Sequence, residues 1–297
     1  MLIVSFCFAE SLIQPIKPVS GIDTDKALLG KTLFFDTSLS KDNTISCASC
    51  HKSEHGWADD VALSIGVYNR KGNINSPTVL NAVYNFKQFW NGRSDTLEEQ
   101  AKGPLHNDFE MDMDKALLEK RINSNPAYKK SFKEIYGVKT IHFDNILDAI
   151  AEYEKTLTTK DSKFDLYLKG KASLTKLEEK GYENFRTFGC ITCHNGMNIG
   201  GNSFQKMGIV IPYTNCVSDR FEITKRKFDR CVYKVPSLRN ISKTAPYFHD
   251  GSAKTLQDAI KTMAFHNLGF EPEIEEVKAI EMFLRTLDAD VREIGEK

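Results

Sequence analysis

Two copies of one short pattern stand out: Cys47-Ala48-Ser49-Cys50-His51 and Cys190-Ile191-Thr192-Cys193-His194. C-x-x-C-H is the attachment sequence of a c-type haem. Its spacing follows from the chemistry. Two thiols form thioethers to the two vinyl groups, and the adjacent histidine is thereby set beneath the iron as proximal ligand. On this reading Cys47, Cys50, Cys190 and Cys193 anchor two haems, and His51 and His194 are axial ligands. Two other uses of paired cysteines compete. Zinc knuckles normally lie about 15–20 residues apart, and a thioredoxin-like motif needs a βαβ context and no second copy. Neither pattern suits two pairs in opposite halves of the chain.

The remaining cysteines are Cys7, Cys216 and Cys231. Cys216 and Cys231 flank a polar segment, and a disulfide closing a loop of about 15 residues is worth about 3 kcal/mol by the chain-entropy estimate. Two unrelated thiols are the alternative. Cys7 lies in the apolar stretch Met1 to Ala9, which reads either as the end of a secretory signal, lacking a basic start, or as a buried N-terminal element. The cysteine chemistry favours export.

The elements that must carry these groups are mainly helical. Asp144 to Leu157 shows a helical apolar stripe after Asp144 as N-cap. Thr175-Lys176-Leu177-Glu178 is a capping box opening a helix towards Cys190. Thr255 opens another, with Leu256, Ala259, Ile260 and Met263 on one face. Glu273 to Leu287 forms a third stripe, with Pro272 placed at the first helical position. Alternating strands are scarce, and 66–76 and 195–202 read as loops. The two haem motifs divide the 297 residues into halves of domain size. The expected division is a signal remnant or N-terminal extension over 1–20, one domain over 21–166 and another over 167–297. Composition adds exclusions. With 41% hydrophobic and 27% charged residues the chain is not disordered. Lys+Arg (40) equals Asp+Glu (40), so no net field draws it to nucleic acid. No apolar run approaches the roughly 18 residues of a membrane span.

Several further strings occur in order: Asn75-Ser76-Pro77-Thr78, Phe89-Trp90-Asn91-Gly92-Arg93, Leu97-Glu98-Glu99-Gln100-Ala101, Lys234-Val235-Pro236-Ser237-Leu238-Arg239-Asn240 and Ala245-Pro246-Tyr247-Phe248-His249-Asp250-Gly251. With the first haem motif they resemble the bacterial dihaem cytochrome c peroxidase family, which includes the related MauG enzymes. The resemblance runs from about Leu28 to Leu287. It implies two cytochrome c-like helical domains, each with one covalent haem, a calcium ion between them, a homodimer, and periplasmic reduction of hydrogen peroxide. The electron donor would be a monohaem cytochrome c or a small copper protein.

The resemblance also assigns roles. Met263 becomes the second axial ligand of the C-terminal haem, the electron relay; on its apolar stripe alone it reads as core. The N-terminal haem becomes the peroxidatic centre. Glu110 matches the distal acid/base that moves a proton between the peroxide oxygens, and Gln100 its neighbouring amide. By composition alone Glu110 is a solvated loop carboxylate. Trp90 matches the residue between the haems, where an indole bridges a gap, although a core tryptophan reads the same. Asn75, Thr244 and Pro246 match the calcium ligands. His249 matches a histidine near the haem interface and is not taken as an iron ligand. His55, His106, His142 and His266 read as surface or core residues.

One departure is specific. Many family members carry a histidine, in the loop after the first motif, that caps the peroxidatic iron until the other haem is reduced. Here the loop reads Ser64-Ile65-Gly66-Val67-Tyr68-Asn69-Arg70, with no histidine from 56 to 105. Val67 cannot ligate iron, and Tyr68 is a lesser substitute. The expectation is a peroxidatic haem open in the oxidised enzyme. Two rival functions stand beside the peroxidase: a MauG-like oxidation of a protein side chain, and electron carriage without catalysis. Met263 speaks against the first, because that relative carries Tyr there. Glu110 and Gln100 speak against the second.

Overall fold

Helix α1 (Thr24–Phe34) and helix α6 (Phe143–Thr156) cross at a glycine, in a computed structural model that describes residues 12–292 and 294. A Cβ on Gly30 would lie 1.8 Å from the Ala149 carbonyl oxygen and 2.9 Å from Tyr153 Cβ, so only glycine lets the backbones touch. The same device recurs in the second half. Helix α8 (Lys176–Thr187) meets helix α11 (Ile274–Arg285) where a Cβ on Gly181 would lie 1.9 Å from Ala279 O and 2.9 Å from Phe283 Cβ. Each glycine-bearing helix leads into one C-x-x-C-H turn. Gly30→Ala and Gly181→Ala should each force the crossing apart and cost about 1–3 kcal/mol. The denaturant midpoint of each variant against wild type is the measure.

Between the two crossings lie α2 (Cys47–Cys50), α3 (Leu97–His106), α4 (Lys115–Ser124), α5 (Pro126–Tyr136) and α7 (Lys163–Leu168). The second half adds α9 (Phe221–Thr224) and α10 (Leu256–Met263). The mainly helical expectation therefore holds. The one sheet among the described residues is a ribbon of β1 (Phe204–Lys206) and β2 (Val232–Lys234), antiparallel with Gln205 opposite Tyr233. Two large apolar cores form among the described residues, beside a small cluster of Ala82, Leu97 and Ala151. The first gathers Leu33, Phe34, Leu105, Phe132, Ile146 and Ile150; the second gathers Ile13, Phe164, Phe185, Phe283 and Leu287. The chain ends cross over: Ile13 bridges to Gly196, whereas Val291 pairs with Thr159.

Two helix starts differ from the sequence expectation. Helix α6 begins at Phe143 with His142 as N-cap, and Asp144 falls inside the first turn. The cause is tertiary: Glu119 of α4 accepts the Phe143 N–H at 2.8 Å, so that donor needs no local cap. Helix α11 begins at Ile274, with Glu273 as N-cap, and Pro272 precedes the helix instead of opening it. Glu276 accepts the Glu273 N–H at 2.9 Å, a reciprocal bond that proline could not make. Thr175 and Thr255 cap their helices as expected, accepting from Glu178 N and Asp258 N. Past Met263, α10 widens into a π-turn over Ala264–Leu268. Met1 to Ala9, with Cys7, lies outside the described residues.

Candidate active site

Both C-x-x-C-H segments fold into the same single turn. The His51 N–H donates to Cys47 O at 3.1 Å, and the His194 N–H donates to Cys190 O at 3.0 Å. Ser46 and Ser49 brace the first turn, the Ser46 N–H donating to Ser49 Oγ at 3.0 Å. Cys47, Cys50, Cys190 and Cys193 are free, half-buried thiols. Burial pushes the Cys47 thiol upward, and the Cys50 and Cys190 thiols to about 11. A thioredoxin-like pair needs the opposite, a lowered thiol. The zinc alternative fares no better: the pairs sit in separate cores, and no three metal-ligating side chains converge among the described residues.

The residues fit a c-type haem instead. Burial holds His51 below its ordinary value and drives His194 down to about 4, so both rings are neutral, the form that binds iron. His51 Nδ1 lies 3.3 Å from Trp57 O, which orients the ring. His194 Nδ1 is buried and has no hydrogen-bond partner among the described residues. Beside it opens a cavity walled by Cys190, Cys193, Phe185, Leu238 and Leu284, with Met263 on the same wall system.

Trp90 lines this cavity too, its Nε1–H donating to Asn75 O at 2.9 Å. Asn75, Thr244 and Pro246 also line it, and the Asn75 amide donates to Val61 O and Ala62 O, each at 3.2 Å. His249 is buried, with Nε2 engaged 2.6 Å from Asn215 O. Cys216 and Cys231 form a disulfide, the pairing favoured from the sequence, with Cα atoms 4.9 Å apart.

Glu110 lies in the turn after α3, within electrostatic reach of the first C-x-x-C-H segment. Its charge reaches the thiols of both Cys47 and Cys50. Burial raises its pKa, and two groups partly offset this: Asn107 Nδ2, donating to Oε1 at 2.6 Å, and the Arg93 guanidinium. A half-buried carboxyl whose pKa is raised by desolvation is suited to carrying a proton. Gln100 stands half-buried on α3 and makes no hydrogen bond to Glu110 among the described residues. The roles of Asn107 and Arg93 were missed: partners brought together across a turn and a loop leave no spacing signal. Glu154 was also missed. It is buried on α6, near Cys47, and pushed up to about 8 by burial and by Glu98. A signal existed, since residue 154 falls on the apolar stripe of its helix.

The family described as di-haem cytochrome c peroxidase matches residues 24–173. The chain is 47% identical over 285 residues to a cytochrome c551 peroxidase of Nitrosomonas europaea, covering 95% of this chain and 85% of that one. The chain belongs to the di-haem cytochrome c peroxidase family. To a cytochrome c peroxidase of Escherichia coli it is 43% identical over 285 residues, 93% of this chain but 61% of that longer one. Among solved structures, a MauG-like protein associated with microbial copper homeostasis superposes with a TM-score of 0.83 at 27% identity, covering 96% of this chain and 95% of the other.

For a di-haem cytochrome c peroxidase, the loop through Val67 is the informative part. It is stitched to the Glu110 turn. The Val67 N–H donates to Glu110 O at 2.8 Å, and Arg70 Nη1 donates to Asp108 O at 2.7 Å. Val67 is fully buried, whereas Tyr68 is exposed. Gly66 makes the contact possible, because a Cβ there would meet Phe109 O at 2.1 Å and Glu110 O at 2.6 Å. Gly66→Ala should therefore displace Glu110. A misplacement of about 1 Å costs about 10²-fold in kcat/KM. Unchanged turnover in this variant would show that the loop does not position the carboxyl.

Proposed function

We propose that this chain is a periplasmic peroxidase that reduces hydrogen peroxide to water, with electrons from a monohaem cytochrome c or a small copper protein. One haem is assigned to residues 21–166, on Cys47, Cys50 and His51, and the other to residues 167–297, on Cys190, Cys193 and His194. Bound there, the first haem would supply the iron chemistry that reduces peroxide and the second would relay electrons to it. Met263 is the proposed second axial ligand of the relay, a role supported by its place on the cavity that His194 lines.

The observation that carries this reading is the half-buried Glu110, held by Asn107 and raised by desolvation, within electrostatic reach of Cys47 and Cys50. Heterolysis of peroxide needs a proton moved from one oxygen to the other. Asn107 holds Oε1, and Oε2 has no protein partner among the described residues, so Glu110 keeps one oxygen for substrate. Gln100 is assigned as the amide that hydrogen-bonds bound peroxide. Trp90, fixed through its Nε1–H, is assigned as the bridge between the two centres. A calcium ion on Asn75, Thr244 and Pro246 belongs to the same proposal, because oxygen donors suit that ion. So do a homodimer, which rests on the family resemblance, and export, which is supported by the Cys216–Cys231 disulfide.

The Val67 loop also suits a MauG-like oxidation of a protein side chain; Met263 favours ordinary electron uptake. Purified holoprotein should give two haems per chain as pyridine haemochrome. The fully oxidised enzyme should consume peroxide from the first turnover without prior reduction. A count below two overturns the reading. A lag abolished by prereduction, with a low-spin bis-histidine signal, overturns the open-iron part of it.

A further inference from the structure

The wall of the cavity beside His194 carries a cluster of aromatic groups besides the residues that would seat a haem. Trp90 meets Tyr233 at 6.4 Å between ring centroids and His249 at 6.2 Å, both edge-on. Tyr233 and His249 are stacked at 4.2 Å with planes 22° apart. From His249 the chain of rings continues to Tyr213 at 5.8 Å and then to His266 at 5.1 Å. Trp90, Tyr233 and His249 line the cavity with Cys190 and His194, whereas Tyr213 is half-buried and outside the lining. The His249 Nε2 contact to Asn215 O ties the Tyr213 segment to this stack.

The two phenols differ in where their protons can go. One-electron oxidation of a phenol is favourable only when the proton leaves with the electron, because the phenol radical cation is a strong acid. The Tyr233 hydroxyl donates to a backbone carbonyl, Val217 O, at 2.8 Å, which is no proton acceptor. The Tyr213 hydroxyl donates to Asp250 Oδ2 at 2.8 Å. Asp250 is ionised at neutral pH: burial pushes it up, but hydrogen bonds from Ser252, Tyr213 and Asn215 bring it below the usual carboxylate range. Tyr213 is pushed up to about 12, chiefly by burial, so the phenol is intact.

Resting on the peroxidase reading above, we propose that Tyr213 and Asp250 form a redox site that discharges the haem cavity when no external donor is at hand. Tyr213 gives one electron inward through the His249–Tyr233–Trp90 rings, and its phenolic proton passes to Asp250. The balance closes for enzyme holding one stored electron on a reduced haem. One hydrogen peroxide becoming two waters takes up two electrons and two protons. The reduced haem supplies one electron and Tyr213 the other, while solvent supplies both protons. A phenol and a carboxylate become a neutral phenoxyl radical and a neutral carboxyl. The benefit is protection of Met207 and Met263, oxidisable thioethers on the cavity wall.

The test uses half-reduced holoenzyme, stoichiometric peroxide and no donor, freeze-quenched for electron paramagnetic resonance. Wild type should show a tyrosyl signal that narrows when tyrosine is ring-deuterated. Tyr213→Phe should lose it. Asp250→Asn, which keeps the phenol but removes the base, should lose it too, and both variants should accumulate more methionine sulfoxide by mass spectrometry. Donor-supported peroxide consumption should stay at the wild-type rate in both. Normal consumption with no tyrosyl signal in wild type, or with an undiminished signal in either variant, overturns the Tyr213–Asp250 site alone. Wild-type holoenzyme that fails to consume peroxide overturns the peroxidase reading and this site with it.

Discussion

Glu110→Gln should keep both covalent haems and lose peroxide turnover by about 10²–10⁴-fold, the usual worth of a positioned general acid–base group. The substitution is close to isosteric, and the new amide oxygen can still accept from Asn107 Nδ2, which now donates at 2.6 Å. Packing is therefore preserved while proton transfer is removed. The pH profile gives an independent check. The carboxylate must be ionised to take the first proton, so activity falls as pH drops through the Glu110 pKa. Burial places that limb above the ordinary carboxylate range, and Arg93 opposes the shift. Arg93→Gln removes the opposing charge and should move the acid limb to higher pH. A limb that moves down in Arg93→Gln, or turnover within a few-fold of wild type in Glu110→Gln, would mean that the proton is carried elsewhere, with buried Glu154 the next group to test.

What could be read from the residues alone follows from how local each signal is. The C-x-x-C-H turns, the Thr175 and Thr255 caps and the apolar stripes are local, and the structure forms each of them. Signals that depend on distant partners were not legible. The start of α6 was misplaced because Glu119, from another helix, caps it. Gly30 and Gly181 look like helix-weakening residues until the partner carbonyls of Ala149 and Ala279 are in view. The carboxylate chemistry is likewise non-local: Glu110 is held by Asn107 across the turn, faces the Arg93 guanidinium and is raised by desolvation, none of which composition reveals. The Val67 departure was visible as a missing histidine, yet the bond that holds the loop to Glu110 is a backbone contact with no sequence trace. Residues 1–20 read as a signal remnant or an N-terminal extension; the described strap over 12–20 buries Ile13 and Ile16, Ile13 within the second core, through contacts with no local signal.

Arg239→Met should destabilise the protein by about 3–5 kcal/mol, the cost of leaving a buried partner charge uncompensated. Arg239 is 1% exposed and Asp165 0%. Their pairing is bidentate, Nη1 to Oδ2 at 2.8 Å and Nη2 to Oδ1 at 2.9 Å. The same groups gather four segments. Asp165 accepts the Ile16 N–H at 3.1 Å and the Ser162 N–H at 2.9 Å, while Arg239 donates to Met197 O at 2.7 Å and Gln14 O at 3.2 Å. Removing the arginine therefore loosens the N-terminal strap, the start of α7 and the loop directly after His194. Asp165→Asn is a gentler shape change that strands the guanidinium, and it should cost a similar amount. The double variant Arg239→Met/Asp165→Leu should cost less than the two single changes added together, because neither charge is then left alone. The sign with pH is fixed. Burial alone would raise Asp165, but Arg239 and Ser162 outweigh it and hold the carboxyl below its ordinary value. A depressed folded-state pKa gives stability that is full above the unfolded aspartate value and is lost as pH falls towards the folded one. Wild type should thus lose stability steeply below about pH 4, and Asp165→Asn should lose less over the same interval. Equal acid slopes in the two proteins would show that this pair does not govern the acid limb.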